Sequence, residues 1–217
     1  MREHNEITIH VNDAVKIYGD QTVLNHVSLE LRSGKIYGFV GQNGSGKTVL
    51  FKSICGFTKL TKGNVEVLGK KIGTDADMAE NVGAIIETPG FLTSFNAFRN
   101  LKFLASLRNK IDDNKIKETI RLVGLDPDSK KKVGKFSMGM RQRLGIAQAI
   151  MEDPEILILD EPFNGLDKNG TAEMRRLLLD MKEMGKTILL ASHSSEDIEI
   201  LCDEVYEMEM GVCTKRK

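Results

Sequence analysis

Neither charge sign is in excess in this 217-residue chain, where 31 lysines and arginines offset 31 aspartates and glutamates. No global field therefore draws it toward nucleic acid or an anionic membrane, although a local patch stays open. Cysteine is scarce too. Cys55, Cys202 and Cys213 are odd in number and match no metal-ligand spacing, which argues against a disulfide framework and points to reduced thiols of the cytosol. Long apolar runs are missing: the most apolar stretches, 156–159 and 187–191, fall far short of the roughly 20 residues a membrane helix needs. Residues 1–6 lead into no apolar segment of the kind a signal peptide uses. The expectation is a chain that stays inside the cell, so that work at a membrane would require another chain to span it. There is no internal repeat and no low-complexity segment. The length suits one core, or one core with an attached subdomain.

What is present begins with Gly41-Gln42-Asn43-Gly44-Ser45-Gly46-Lys47-Thr48, which fits G-x-x-x-x-G-K-[ST] between an apolar run at 36–40 and a helical one at 49–55. Strand before and helix after turn the pattern into a phosphate site. Gly41, Gly44 and Gly46 let the backbone curl so that successive N–H groups, those of Asn43 and Ser45 among them, point inward. A helix starting near Gly46 adds the positive end of its dipole. Lys47 can reach the β- and γ-phosphates, and the Thr48 hydroxyl can ligate Mg²⁺.

Periodicity places β-segments at 7–11, 27–31, 35–40, 64–68 and 82–86. From about 96 to 150 the spacing of apolar residues turns helical. Strand 156–160, helix 168–184, strand 187–191, helix 194–201 and a last strand at 205–208 follow. This alternation predicts a parallel sheet covered on both faces. The run Ile156-Leu157-Ile158-Leu159-Asp160-Glu161-Pro162 reads as a buried central strand that delivers two carboxylates at its carboxyl end, where open α/β sheets place ligands. Asp160 suits Mg²⁺, directly or through water, and Glu161 suits a base that polarises water attacking a γ-phosphate.

Phe136-Ser137-Met138-Gly139-Met140-Arg141-Gln142-Arg143 resembles the signature loop of the ABC ATPases, whose consensus is Leu-Ser-Gly-Gly-Gln followed by a basic residue, Gln and Arg. Ser137, Gly139, Arg141, Gln142 and Arg143 match; Phe136, Met138 and Met140 depart. A serine hydroxyl with backbone N–H groups at a helix start still makes an anion site. Read alone, Ser-x-Gly is only a helix start. The resemblance covers nearly the whole chain and implies an α/β fold. That fold is a P-loop NTPase (RecA-like) core with an N-terminal antiparallel β-subdomain and an inserted α-helical subdomain. It implies a single ABC ATPase domain over 1–217, with core and β-subdomain at 1–86 and 156–217 and the helical signature subdomain at 87–155.

The same resemblance sets Tyr18 where the family stacks an aromatic ring on adenine; packing within the β-subdomain is the other reading. Asn164-Gly165-Leu166-Asp167 matches the D-loop at the dimer seam, and Asp167 can serve equally as a helix N-cap. His193 matches the switch histidine that contacts the γ-phosphate. Glu87 stands where most of the family has a glutamine that meets Mg²⁺ and water. With Thr88-Pro89-Gly90-Phe91 after it, this resembles a subgroup from lantibiotic self-immunity and bacitracin-type resistance exporters. A carboxylate binds Mg²⁺ more strongly than an amide but donates no N–H.

The resemblance implies a homodimer or a paralogous heterodimer closed around two ATP molecules. Each ATP would lie between residues 41–48 of one subunit and the Ser137, Gly139 and Met140 stretch of the other, with Lys47, Glu161 and His193 catalytic and Thr48, Glu87 and Asp160 at Mg²⁺. It further implies a separate transmembrane permease, docked near Phe91, Leu92 and Phe95, no nucleic-acid partner, and a location on the cytoplasmic face of the membrane. A soluble ABC ATPase of the iron–sulfur-assembly type is the alternative, expected to keep glutamine at 87. A small-molecule kinase of non-ABC type is a more distant one.

Overall fold

Strands β1 (Ile7–Tyr18) and β2 (Gln21–Arg32) run antiparallel over most of their length. They reach well beyond the expected segments because bulges interrupt the alternation on which the sequence reading relied: Asp13 and His26 both adopt left-handed backbone, φ 49 and 54. With β4 (Lys62–Val67) and the short β5 (Lys70–Lys71) they form a four-stranded antiparallel sheet, in the order β2-β1-β4-β5. The computed structural model describes residues 6–216. The expectation about a leader rests in part on residues 1–5, which lie outside the described residues.

A second sheet of six strands has the order β10-β9-β3-β8-β7-β6, comprising β3 (Ile36–Val40), β6 (Val82–Ile85), β7 (Ile156–Asp160), β8 (Thr187–Ala191), β9 (Glu204–Glu209) and β10 (Val212–Lys215). Its strands β9, β3, β8, β7 and β6 are parallel. The strands expected from the sequence are all parallel in it, and β10, which the sequence reading did not include, adds an antiparallel edge by pairing with β9. Met210 and Gly211, at φ 47 and 81, make a two-residue turn with both residues left-handed, and so tight a connection can only join antiparallel neighbours.

Helix α1 (Lys47–Cys55) follows β3. Helices α2 (Ala97–Arg108), α3 (Asp113–Leu122) and α4 (Met138–Ile150) all lie between β6 and β7, and α5 (Lys168–Glu183) and α6 (Ser195–Leu201) flank β8. Their starts are encoded locally: Asn96, Asp112, Ser137, Asp167 and Ser194 each accept a backbone N–H three residues on, as N-caps do. No helix among the described residues is long and apolar enough to cross a membrane.

The continuous apolar run of β7 is explained by burial on both faces. Ile156 and Ile158 join the core between the two sheets and α1, while Leu157 and Leu159 join the core on the side of α2 to α5. β8 divides in the same way, Leu189 and Ala191 against Ile188 and Leu190. In the first core the Phe39 ring stacks on Tyr206 at 5.5 Å and meets Phe51 edge-on at 5.2 Å. These contacts fix α1, and with it the loop that precedes it, against the carboxyl ends of the strands.

Candidate nucleotide site

Between β3 and α1 the chain makes the predicted glycine-rich loop. Gly41 has φ 146, and a Cβ there would meet the Met208 carbonyl oxygen at 2.2 Å, so this first glycine is required by the neighbouring strand β9. The β9–β10 turn holds the loop from outside: Gly211 N–H donates to Ser45 O (3.1 Å) while Asn25 N–H donates to Gly211 O (2.9 Å).

Lys47 is buried, and its Nζ donates to the carbonyls of Gly41 (2.7 Å) and Gln42 (3.0 Å). Burial lowers its pKa, opposed by the carboxylates of Asp160 and Glu161. Thr48 Oγ1 donates to Asp160 Oδ2 at 2.7 Å, joining the start of α1 to the end of β7.

Glu161 adopts left-handed backbone, φ 51, a conformation that costs a non-glycine residue roughly 1 kcal/mol or more and gathers at working sites. It is held there by its own N–H donating to Ala191 O (2.9 Å) and by Gln142 Nε2 donating to its carbonyl (3.2 Å). Burial pushes its carboxyl above the usual range, against the pull of His193. His193 N–H donates to Glu161 Oε2 (3.4 Å), and His193 Nε2 lies 3.3 Å from Glu161 Oε1 and 2.9 Å from Asn43 Oδ1. Toward the Asn43 oxygen that ring nitrogen is the donor in the tautomer that makes this bond.

These groups line a cavity of about 790 Å³. It gathers Asn43, Gly44, Ser45, Gly46, Lys47, Thr48, Glu87, Asp160, Glu161 and His193 from the residues singled out in the sequence. Tyr18, Gly41, Ser137, Gly139, Met140 and Asp167 are not part of its lining. Tyr18 ends β1, is 48% exposed, and lies under the Lys16 ammonium at 4.5 Å. Ser137 caps α4 through Met140 N–H (3.2 Å), Met140 packs against the helical core, and Asp167 caps α5 through Gly170 N–H (2.8 Å).

Glu87, also left-handed at φ 61, is paired with Lys52 at 2.7 Å. Lys52 was not singled out in the sequence, although it lies one helical turn beyond Thr48 and so on the same face of α1. Phe136, Met138, Arg141 and Gln142 from the signature stretch also line the cavity, as do Val23, Thr88, Pro89 and Asn164.

Two observations bear on whether a cation and a polyphosphate suit this site. Among the described residues, the buried Ser45 Oγ and Glu161 Oε1 lack a hydrogen-bond partner, as groups awaiting an external partner would. The oxygen donors Thr48 and Asp160, one hydroxyl and one carboxylate, are hard ligands. That is the sparse protein contribution typical of Mg²⁺, which keeps waters and substrate phosphates.

A glycine-rich strand-to-helix loop with Lys-Thr at the helix start, faced by carboxylates at the end of a neighbouring parallel strand, defines a P-loop nucleoside triphosphatase. Residues 24–164 match the ABC transporter family. The chain is 43% identical over 199 residues to the bacitracin transport ATP-binding protein BcrA of Bacillus licheniformis, covering 91% of this chain and 65% of that protein. It is 35% identical over 193 residues to the lantibiotic transport ATP-binding protein SrtF of Streptococcus pyogenes, covering 89% and 83%. The solved structure of an ATP-binding subunit of an ABC transporter superposes with a TM-score of 0.87 at 25% identity, over 97% of this chain and 90% of that one. The chain belongs to the ABC transporter family, is similar to the ATP-binding proteins of bacitracin and lantibiotic transport, and is an ATPase.

Proposed function

We propose that the chain hydrolyses ATP at the β3–α1 loop to power a separate membrane-spanning exporter of antimicrobial peptides of the bacitracin or lantibiotic kind, conferring immunity or resistance. The observation that carries the catalytic part is the convergence of Lys47, Thr48, Asp160, Glu161 and His193 on one cavity. The names of the relatives, together with glutamate at position 87, support the choice of cargo.

In this reading Lys47 exchanges the carbonyls of Gly41 and Gln42 for phosphate oxygens, and the loop N–H groups cradle the rest of the chain of phosphates. Thr48, Asp160 and Glu87 would hold Mg²⁺, which supplies charge neutralisation at the phosphates. Glu161 accepts a proton from water, helped by the raised pKa that brings it closer to neutral pH. His193 keeps Glu161 and Asn43 in register and offers its Nε2 proton toward the terminal phosphate.

The signature residues Ser137, Gly139 and Met140 stand outside this cavity, which supports a second copy or a paralogous cassette supplying its own signature loop to complete each site. Segment 87–155 would then be the lever between the nucleotide and the membrane subunit.

For that subunit the groove between α2 and β6 fits better than the 88–95 loop, since Phe91 packs against the core and the Phe95 ring lies under Arg99 at 4.4 Å. The groove, about 360 Å³, is lined by Phe57, Met78 and Leu107, exposed by 54%, 48% and 72%. Apolar side chains bared to that degree suit an amphipathic helix of the permease on the cytoplasmic face.

Affinity purification from the native membrane fraction, with mass spectrometry, tests the partner: a polytopic membrane protein in matching amount is expected, and recovery with soluble partners alone overturns it. Deleting the gene is expected to lower the bacitracin or lantibiotic concentration that inhibits growth, and an unchanged value removes the cargo assignment. Leu107→Asp together with Phe57→Asp is expected to abolish membrane association while nucleotide binding persists.

A further inference from the structure

Behind His193 lies a buried ionic network that neither the nucleotide cavity nor the sequence motifs use. Asp197, 3% exposed, sits in the first turn of α6. Its Oδ1 accepts from Arg175 Nε (2.8 Å) and Nη2 (2.5 Å), and its Oδ2 accepts from Ser192 Oγ (2.9 Å). Ser192 Oγ in turn accepts the N–H of Ser194 (3.1 Å). Both residues that flank His193 are thereby tied to one carboxylate, and that carboxylate to a guanidinium on α5. Arg175 also reaches Glu196 at 3.0 Å. Helix α5 itself is capped by Asp167, in the segment that follows Glu161.

A buried ion pair is a poor device for holding two helices together, because desolvation offsets most of its attraction and apolar side chains of equal volume pack as well. What it supplies is direction. Two N–H groups of a planar fork enter one oxygen, a hydroxyl enters the other, and few rotations of the 192–194 loop satisfy all of them.

We propose that Arg175 and Asp197 are positioning residues for ATP hydrolysis, which through Ser192 set the height and orientation of His193 over Glu161. The proposal rests on the reading of His193 as a residue that faces the terminal phosphate. Because Arg175 and the Asp167 cap share one helix, a shift of α5 moves both the segment after Glu161 and the support of His193.

The test is steady-state ATPase kinetics and binding of a fluorescent ATP analogue with the full chain. The variants are Arg175→Gln, Arg175→Lys, Asp197→Asn and Ser192→Ala, each also combined with His193→Ala. Arg175→Gln and Asp197→Asn are expected to lower kcat about tenfold or more with KM and analogue affinity within about twofold, and Arg175→Lys to recover part of the loss. On the His193→Ala background the same changes are expected to cost less than about twofold, since the residue they position is gone. Equal losses on both backgrounds, or unchanged kcat in all of them, overturn the brace. If Asp197→Asn fails to fold, Ser192→Ala decides, because it cuts only the link from the carboxylate to the loop. His193→Ala with full kcat overturns the site reading and the brace with it; a loss in His193→Ala with none in the brace variants overturns the brace alone.

Discussion

The Lys52 ammonium lies 2.7 Å from the Glu87 carboxylate, so the acid that opens the 87–91 segment is held by a cation on the helix after the glycine-rich loop. Lys52 and Thr48 share a face of α1, which puts the pair beside the Thr48 to Asp160 hydrogen bond. With side chains 30% and 63% exposed, the pair contributes only about 0–1 kcal/mol to stability, and its effect belongs to the site. Glu87→Gln is expected to raise the Mg²⁺ concentration for half-maximal ATPase several-fold, and Lys52→Gln to lower it, with melting temperatures nearly unchanged. A Mg²⁺ titration in which both variants shift the same way, or neither shifts, removes Glu87 from the metal site.

Glu161→Gln is expected to lower kcat by about 10²–10⁴-fold while ATP still binds; full turnover would dismiss Glu161 as the base. Burial raises the Glu161 pKa, so the native state holds that proton more tightly than the unfolded one. Stability therefore falls as pH rises from the unfolded value through the folded one. The glutamine variant, free of that loss, is expected to melt higher than wild type at neutral pH and to converge with it in acid. The acid limb of wild-type kcat is expected above the ordinary carboxylate range, measured by a pH–rate profile.

Lys47→Ala removes a charge-assisted donor worth about 1.5–3 kcal/mol, so ATP affinity is expected to fall roughly tenfold to a hundredfold in a binding titration. Retained affinity would show that the loop amides suffice without the lysine.

Gly83, in β6, lies against α4: a Cβ there would come within 1.8 Å of the Ala149 carbonyl oxygen. Gly83→Ala must push helix and strand apart, and overpacking of this kind costs about 1–3 kcal/mol or more. Thermal or denaturant unfolding is expected to report that loss, and an unchanged midpoint would mean that α4 does not pack on β6 as described.

Much of the local structure was legible before the fold. The segment 41–48 specifies its own bend, and Ile156 to Leu159 announces a strand buried on both faces because all four side chains are apolar. Asp167 and Ser137 signal helix starts by side-chain type alone. Less legible were β1 and β2, whose bulges at Asp13 and His26 break the two-residue period, and β10, a short and mostly exposed edge strand. Lys52, Arg175 and Asp197 read as ordinary charged residues of helix faces, since the ionic partners Lys52–Glu87 and Arg175–Asp197 are 35 and 22 residues apart in the chain.

By itself the sequence determined the local pieces: a phosphate loop, a strand ending in Asp160 and Glu161, a capped signature helix. Each follows from residue type at short spacing, where backbone geometry is set by nearest neighbours. Only the tertiary structure decided that they meet. The order β9-β3-β8-β7-β6 is not the order of the chain, and no local signal says that β8 lies between β3 and β7. That placement brings His193, just past the end of β8, between the P-loop and Glu161. It arises because the strands sort by which apolar faces they bury together, a property of the whole core and of no single segment.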